Sequence, residues 1–239
     1  MIASEPGEAR DPKGLLERRD VGIPPLGLAG TLSVPTRERG LVVFAHGSGS
    51  SRFSPRNNAV ADALNADGMA TLLFDLLTKE EEGDRANVFD ISLLAGRLAD
   101  AVRWLAADRL LGNLPFGLFG ASTGAAAALV AAAKLGDRVG AVVSRGGRPD
   151  LAGDVLDEVR TPTLLIVGGA DYPVIELNEQ ALARLRGPKA LEIVPGASHL
   201  FPEPGALEAV IGHAAHWFEK YLARDRQRRT EPAADPGRA

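Results

Sequence analysis

Short, almost uninterrupted apolar runs alternate along this chain with segments whose apolar residues recur every three or four positions. That alternation restricts the fold more than any other property of the sequence. The runs at 41–45, 70–75, 117–120, 139–144, 163–167 and 190–194 read as strands covered on both faces, because a half-exposed strand would carry a polar residue at every second position. Strands separated by helical crossovers build a parallel sheet. Ahead of them, 21–34 reads as a hairpin with Pro and Gly at its bend, which adds antiparallel strands at one edge. The expectation is an α/β chain with about eight strands, most of them parallel, and helices on both faces.

The helices carry their own punctuation. The first crossover starts at Ser54, a capping residue followed by Pro55, and stops at Gly68, with Val60 and Leu64 on one face. In the second, Ile91, Leu94, Leu98, Val102 and Leu105 form an apolar stripe. The third begins at Ser122 and is nearly all alanine, so its backbone can approach the strands closely. The last, 206–222, is expected to bury Leu207, Val210, Ile211, Ala214, Phe218 and Leu222. With 239 residues, 45% of them apolar, one core suffices, and the chain reads as a single domain over 1–239 with its core at about 14–223. The tails 1–13 and 224–239, rich in charge, Pro and Gly, are expected to be mobile.

Composition removes several function classes. A formal net charge of −4 with both signs intermixed offers no basic face for a nucleic-acid backbone. The absence of cysteine excludes disulfides, a thiolate nucleophile and thiolate metal sites. The first twenty residues lack the apolar centre of a signal peptide, and no apolar run approaches a membrane span, so a cytoplasmic location is expected.

At Gly120-Ala121-Ser122-Thr123-Gly124 the chain passes from an expected strand directly into an expected helix with the pattern G-x-S-x-G. The bare pattern is weak, and its strand-to-helix setting makes it specific. Such a turn lifts a serine hydroxyl above the sheet, and only very small neighbours two residues away avoid collision. A serine needs a base within reach and a third group to orient that base. Asp171 and His199 both follow later strands, through Gly168-Gly169-Ala170 and Pro195-Gly196-Ala197-Ser198, and the order Ser, Asp, His is that of the α/β-hydrolase fold. Asp75 and Asp150 are alternative acids. The oxyanion donors are expected to be the N–H groups of Thr123 and of Ser48, the latter on the turn His46-Gly47-Ser48-Gly49.

His46 suits a structural hydrogen bond near that turn, and His213 and His216 lie off the apolar stripe of the last helix. Glu80 to Glu82 read as a solvated acidic loop. For Arg145 and Arg148 two readings stand: an ion pair with Asp150 or a neighbouring loop, or, as for Arg52, a hold on an anionic substrate group. The insertion after the strand 139–144 is only about sixteen residues, too short for a large lid, so an open pocket for small acyl groups is expected. No ligand cluster or phosphate-binding fingerprint points to a metal or organic cofactor.

The segments Phe44-Ala45-His46-Gly47-Ser48-Gly49-Ser50-Ser51, Ser144-Arg145-Gly146-Gly147-Arg148-Pro149-Asp150 and His199-Leu200-Phe201 resemble the dienelactone hydrolase family, and specifically a subgroup of small proteins; the similarity spans about 21–222. The family's authentic dienelactone hydrolases use cysteine where this chain has Ser122. The resemblance implies ester hydrolysis. The expected activity is therefore cleavage of small carboxylic esters through an acyl-enzyme, by a monomer or homodimer. Two alternatives remain: a binding or sensor protein on the same fold, and a lactone hydrolase, thioester hydrolase or acyltransferase using the same three residues.

Overall fold

Consecutive Leu, Val and Phe side chains point to opposite faces of a strand, so a run of them is stable only where both faces are covered. The computed structural model describes residues 15–230, with side chains placed from 17 to 222. Along it run β1 (Leu15–Ile23), β2 (Leu28–Pro35), β3 (Gly40–Ala45), α1 (Pro55–Ala66), β4 (Met69–Phe74), α2 (Lys79–Glu82), α3 (Arg85–Phe89) and α4 (Ile91–Ala106). They are followed by β5 (Phe116–Ala121), α5 (Thr123–Leu135), β6 (Val139–Arg145), β7 (Thr163–Gly168), α6 (Tyr172–Arg184), β8 (Lys189–Val194) and α7 (Ala206–Thr230). The eight strands form one sheet in the order β1-β2-β4-β3-β5-β6-β7-β8. β1, β2 and β4 pair antiparallel, and every pair from β4 to β8 is parallel.

β3, β4, β5 and β7 are buried at every position. One face of the sheet packs Val42, Phe44, Phe119 and Ile166 against Val60 and Leu64 of α1 and Val210 and Phe218 of α7. The other packs Val43, Leu118 and Leu165 against Leu98 and Val102 of α4, the alanines of α5, and Ala181 of α6. β3 and β5 are neighbours whose chains leave toward opposite faces, α1 on one side and α5 on the other. The crevice above their carboxyl ends is where open α/β sheets place their sites.

Local signals explain most boundaries. Ser54 caps α1 by accepting the N–H of Asn57, and Pro55 occupies the first helical position. In α4 the buried residues are those of the apolar stripe from Leu94 to Leu105, joined by Ala95, Ala99 and Ala101. Several expectations change. β8 is an edge strand, exposed at Lys189 and Ile193, and its charged Lys189 and Glu192 discourage pairing with another chain. In α7, Leu207 and Ile211 are only half-buried while Trp217 is buried, because the helix meets the sheet along Val210, Ala214, Trp217, Phe218 and Leu222. α7 also continues to Thr230, eight residues beyond the expected end at 222. The tails 1–13 and 231–239 lie outside the described residues. The acidic run is a helical turn, not a loop: Thr78 and Glu81 cap each other reciprocally, and Glu81 pairs with Arg97 at 2.7 Å. Among the described residues no helix is long and apolar enough to cross a membrane.

Candidate active site

Ser122 lies between the end of β5 and the start of α5, at φ 52° and ψ −121°. This left-handed backbone is costly for a residue with a Cβ. It persists because both flanks are packed: a Cβ on Gly120 would meet Gly124 O at 2.6 Å, and one on Gly124 would strike the carbonyls of Ala45 and His46. The Ser122 N–H donates to Arg145 O at 3.3 Å, and its carbonyl accepts from Ala125 and Arg148, both at 3.1 Å. The turn after β3 presses on the same residue, since a Cβ on Gly47 would lie 3.0 Å from Ser122 Cβ and 3.7 Å from its Oγ.

Asp171 and His199 meet across 28 residues. His199 Nδ1 is 2.7 Å from Asp171 Oδ2, with the carboxylate mostly covered and the imidazole more than a third exposed. Loop packing makes this possible: Ala170 N–H donates to Ala197 O at 2.9 Å, and Gly168 lacks the Cβ that would strike Ala197 and Ser198. The His199 loop is braced further by the Ser198 N–H, which donates to Glu203 Oε1 at 3.0 Å; this hydrogen bonding holds the Glu203 carboxyl below its ordinary value. Phe201, buried two residues beyond His199, has φ 54°. Among the described residues Ser122 and Phe201 are the non-glycine residues with positive φ, and the sequence carries no local sign of the second. Gly146 links the two halves of the rim. Its neighbour Arg145 accepts the Ser122 N–H, and a Cβ on Gly146 would lie 3.0 Å from His199 O and 3.7 Å from its Cε1. Among the described residues the Ser122 hydroxyl has no hydrogen-bond partner.

The alternative acids are engaged elsewhere. Asp75 is paired with Arg52, whose N–H also donates to it at 2.8 Å, and Asp150 is gripped by Arg148 through Nε and Nη2, both at 2.8 Å. Arg52 and Arg148 are thus already neutralised. Arg145 is different: it is 7% exposed and donates to Asn57 Oδ1 at 3.4 Å, while Nε and Nη1 are buried without an acceptor among the described residues. Burial, with Arg56 beside it, pushes its guanidinium down to about 10.

Thr123 is buried at the first position of α5, where its N–H faces away from any intrahelical acceptor. The Ser48 N–H, expected to be the second oxyanion donor, instead donates to Thr123 Oγ1 at 2.9 Å. His46 takes the Leu76 N–H on Nε2 at 3.2 Å and faces Gly47 O through Nδ1 at 3.0 Å, a pattern that assigns the ring proton to Nδ1 and occupies both nitrogens structurally. Of the helix-borne histidines, His216 is exposed and His213 half-buried. Beside Ser48 and Thr123 opens a cleft of about 540 Å³, walled by Leu76, Leu77, Val88 and Leu94 and edged by Ser50, Ser51 and Glu82. No group of His, Asp and Glu among the described residues is arranged to hold a metal ion.

Comparison with known proteins bears on the family and the fold. The model of the dienelactone hydrolase family matches residues 28–222. A crystal structure of dienelactone hydrolase from Anabaena variabilis is 54% identical, with a TM-score of 0.83 over 87% of this chain and 99% of that one. A serine hydrolase without lid from Xanthomonas campestris, 22% identical, shares the fold with a TM-score of 0.69 over 90% of this chain and 98% of that one. A Mycobacterium tuberculosis protein named "Putative phosphoribosyl transferase" is 59% identical over 214 residues, 90% of this chain but 48% of the relative, so the chain spans about half the length of that protein. With its mixed eight-stranded sheet, its serine elbow and a family match over most of its length, the chain belongs to the dienelactone hydrolase family of α/β-hydrolases.

Proposed function

We propose that the protein is a serine hydrolase that cleaves carboxylic ester bonds of small substrates through an acyl-enzyme. The observation that carries this reading is the 2.7 Å contact between His199 Nδ1 and Asp171 on the rim where Ser122 is held in a strained turn. Asp171 orients the imidazole so that Nε2 receives the Ser122 proton as the hydroxyl attacks the ester carbonyl. The step from His199 to the hydroxyl closes in the substrate complex, where catalytic hydrogen bonds tighten. The Thr123 N–H, at the positive end of α5, faces the developing oxyanion, and Ser48 joins it by sharing or releasing its bond to Thr123 Oγ1. His199 then protonates the leaving alcohol, and water, deprotonated by the same ring, releases the acid and regenerates Ser122.

The cleft beside Thr123 supports a small, largely apolar group on the substrate. The transferase name of the longer relative describes a chain about twice this length, and the serine, histidine and aspartate here favour hydrolysis. Ser122→Ala is expected to abolish turnover of a short-chain p-nitrophenyl ester with little change in melting temperature. A fluorophosphonate probe is expected to label the wild type and not the variant. A wild-type protein that resists the probe and turns over no ester would return the chain to the binding-protein reading.

A further inference from the structure

Around the rim, the charges of Arg52 and Arg148 are cancelled by Asp75 and Asp150, whereas Arg145 has no carboxylate partner among the described residues. It closes β6, and its side chain crosses to α1, where Asn57 supplies one neutral acceptor at 3.4 Å. The charge acting on it is that of a second guanidinium, Arg56, in the first turn of the same helix. Arg56 Nε is also buried without an acceptor among the described residues, and the first turn of α1 carries no acidic residue.

Buried cations in proteins are paired, because an unpaired one forfeits its hydration without return. The charge of Arg56, on the residue next to Asn57, adds repulsion to the cost of burying Arg145 and not relief. Unmatched N–H donors of this kind call for an acceptor that bridges them, and a guanidinium fork fits the oxygens of a carboxylate or phosphate. Neither a cation nor a neutral amide relieves the repulsion. We propose that Arg145 and Arg56, with the first turn of α1, form a binding site for one compact oxyanion, a phosphate or carboxylate group. The site adjoins the catalytic rim: Arg145 O accepts the Ser122 N–H at 3.3 Å, and the next residue, Gly146, packs against His199. The anion is either a free ion or an arm of the ester; only the second source rests on the hydrolase reading.

The first experiment uses Ser122→Ala protein, so that binding is read without turnover. In Tris-chloride at constant ionic strength, inorganic phosphate and acetate are titrated while thermal melting and heat of binding are followed. A saturable rise in melting temperature is expected with at least one oxyanion, retained with Arg148→Gln added and lost with Arg56→Gln added. Arg56 is partly exposed on α1, so its replacement preserves the fold where Arg145→Gln endangers it. Equal responses to phosphate, acetate and chloride in the Ser122→Ala protein with and without Arg56→Gln would overturn the proposal. The second experiment compares 4-nitrophenyl hemisuccinate with the neutral butyrate on wild type and Arg56→Gln. A rise in KM of about tenfold for the charged ester alone assigns the anion to the substrate. Unchanged KM for both, with phosphate binding intact in the first experiment, assigns it to a free ion. A wild-type protein that turns over neither ester would sink the hydrolase reading and leave the titration untouched.

Discussion

The N–H of Ser48 and the hydroxyl of Thr123, 75 residues apart, are joined by a 2.9 Å hydrogen bond that ties the turn after β3 to the first residue of α5. Thr123 is buried, so removing its oxygen leaves a donor with no substitute. Thr123→Val is expected to destabilise the protein by about 1–3 kcal/mol and to lower kcat about tenfold, whereas Thr123→Ser keeps both near wild type. A Val variant faster than wild type would show instead that the hydroxyl competes with the oxyanion for Ser48.

Asp171 is expected to act through His199 alone, to which it is bound at 2.7 Å. Asp171→Asn keeps the shape and removes the charge, so kcat on a p-nitrophenyl ester should fall by about 10³ to 10⁴ with KM nearly constant. Steady-state kinetics at saturating ester checks this, and a fall of only a few-fold would remove Asp171 from the mechanism.

Gly124 has no room for a methyl group, because its α-carbon faces the carbonyls of Ala45 and His46. Gly124→Ala should cost about 3 kcal/mol, lowering the melting temperature by about 6–12 °C in a domain of this size. Gly49 points its missing side chain into open space, yet its φ of 68° makes Gly49→Ala a strain case without collision. Calorimetry should therefore find the smaller loss, about 1 kcal/mol, at Gly49.

Glu203 accepts the Ser198 N–H and its carboxyl titrates below the ordinary value of 4.5. A carboxyl with a depressed folded value adds stability above its unfolded value and loses it as pH falls through the folded one. The contribution of Glu203 is thus present above about pH 4.5 and fades in more acid solution. Glu203→Gln should flatten the acid limb of the curve of melting temperature against pH, and faster amide exchange at Ser198 should accompany it. Parallel acid limbs for the two proteins would rule out this brace.

Much of this architecture is legible in the sequence. The strand read at 41–45 is Gly40–Ala45, and that read at 163–167 is Thr163–Gly168, because a continuous apolar run bounded by polar residues has few other stable forms. The elbow is legible as well, since Gly120 and Gly124 are demanded by a turn that a larger residue would break. The pairing of Arg52 with Asp75 is not, nor the isolation of Arg145 beside α1, because both depend on segments meeting across 23 residues or more.

The sequence by itself determined the six strands β3 to β8, the start of α1 behind Ser54, the apolar stripe of α4, and the placing of Ser122, Asp171 and His199 after three separate strands. These follow from periodicity and from steric rules that act over a few residues. Only the tertiary structure decided which acid meets His199, that Ser48 donates to Thr123, that Phe201 is held at positive φ, and that one arginine of the rim lies buried beside another. Those outcomes are set by the packing of loops brought together from distant parts of the chain, where each polar group takes the partner that burial leaves within reach.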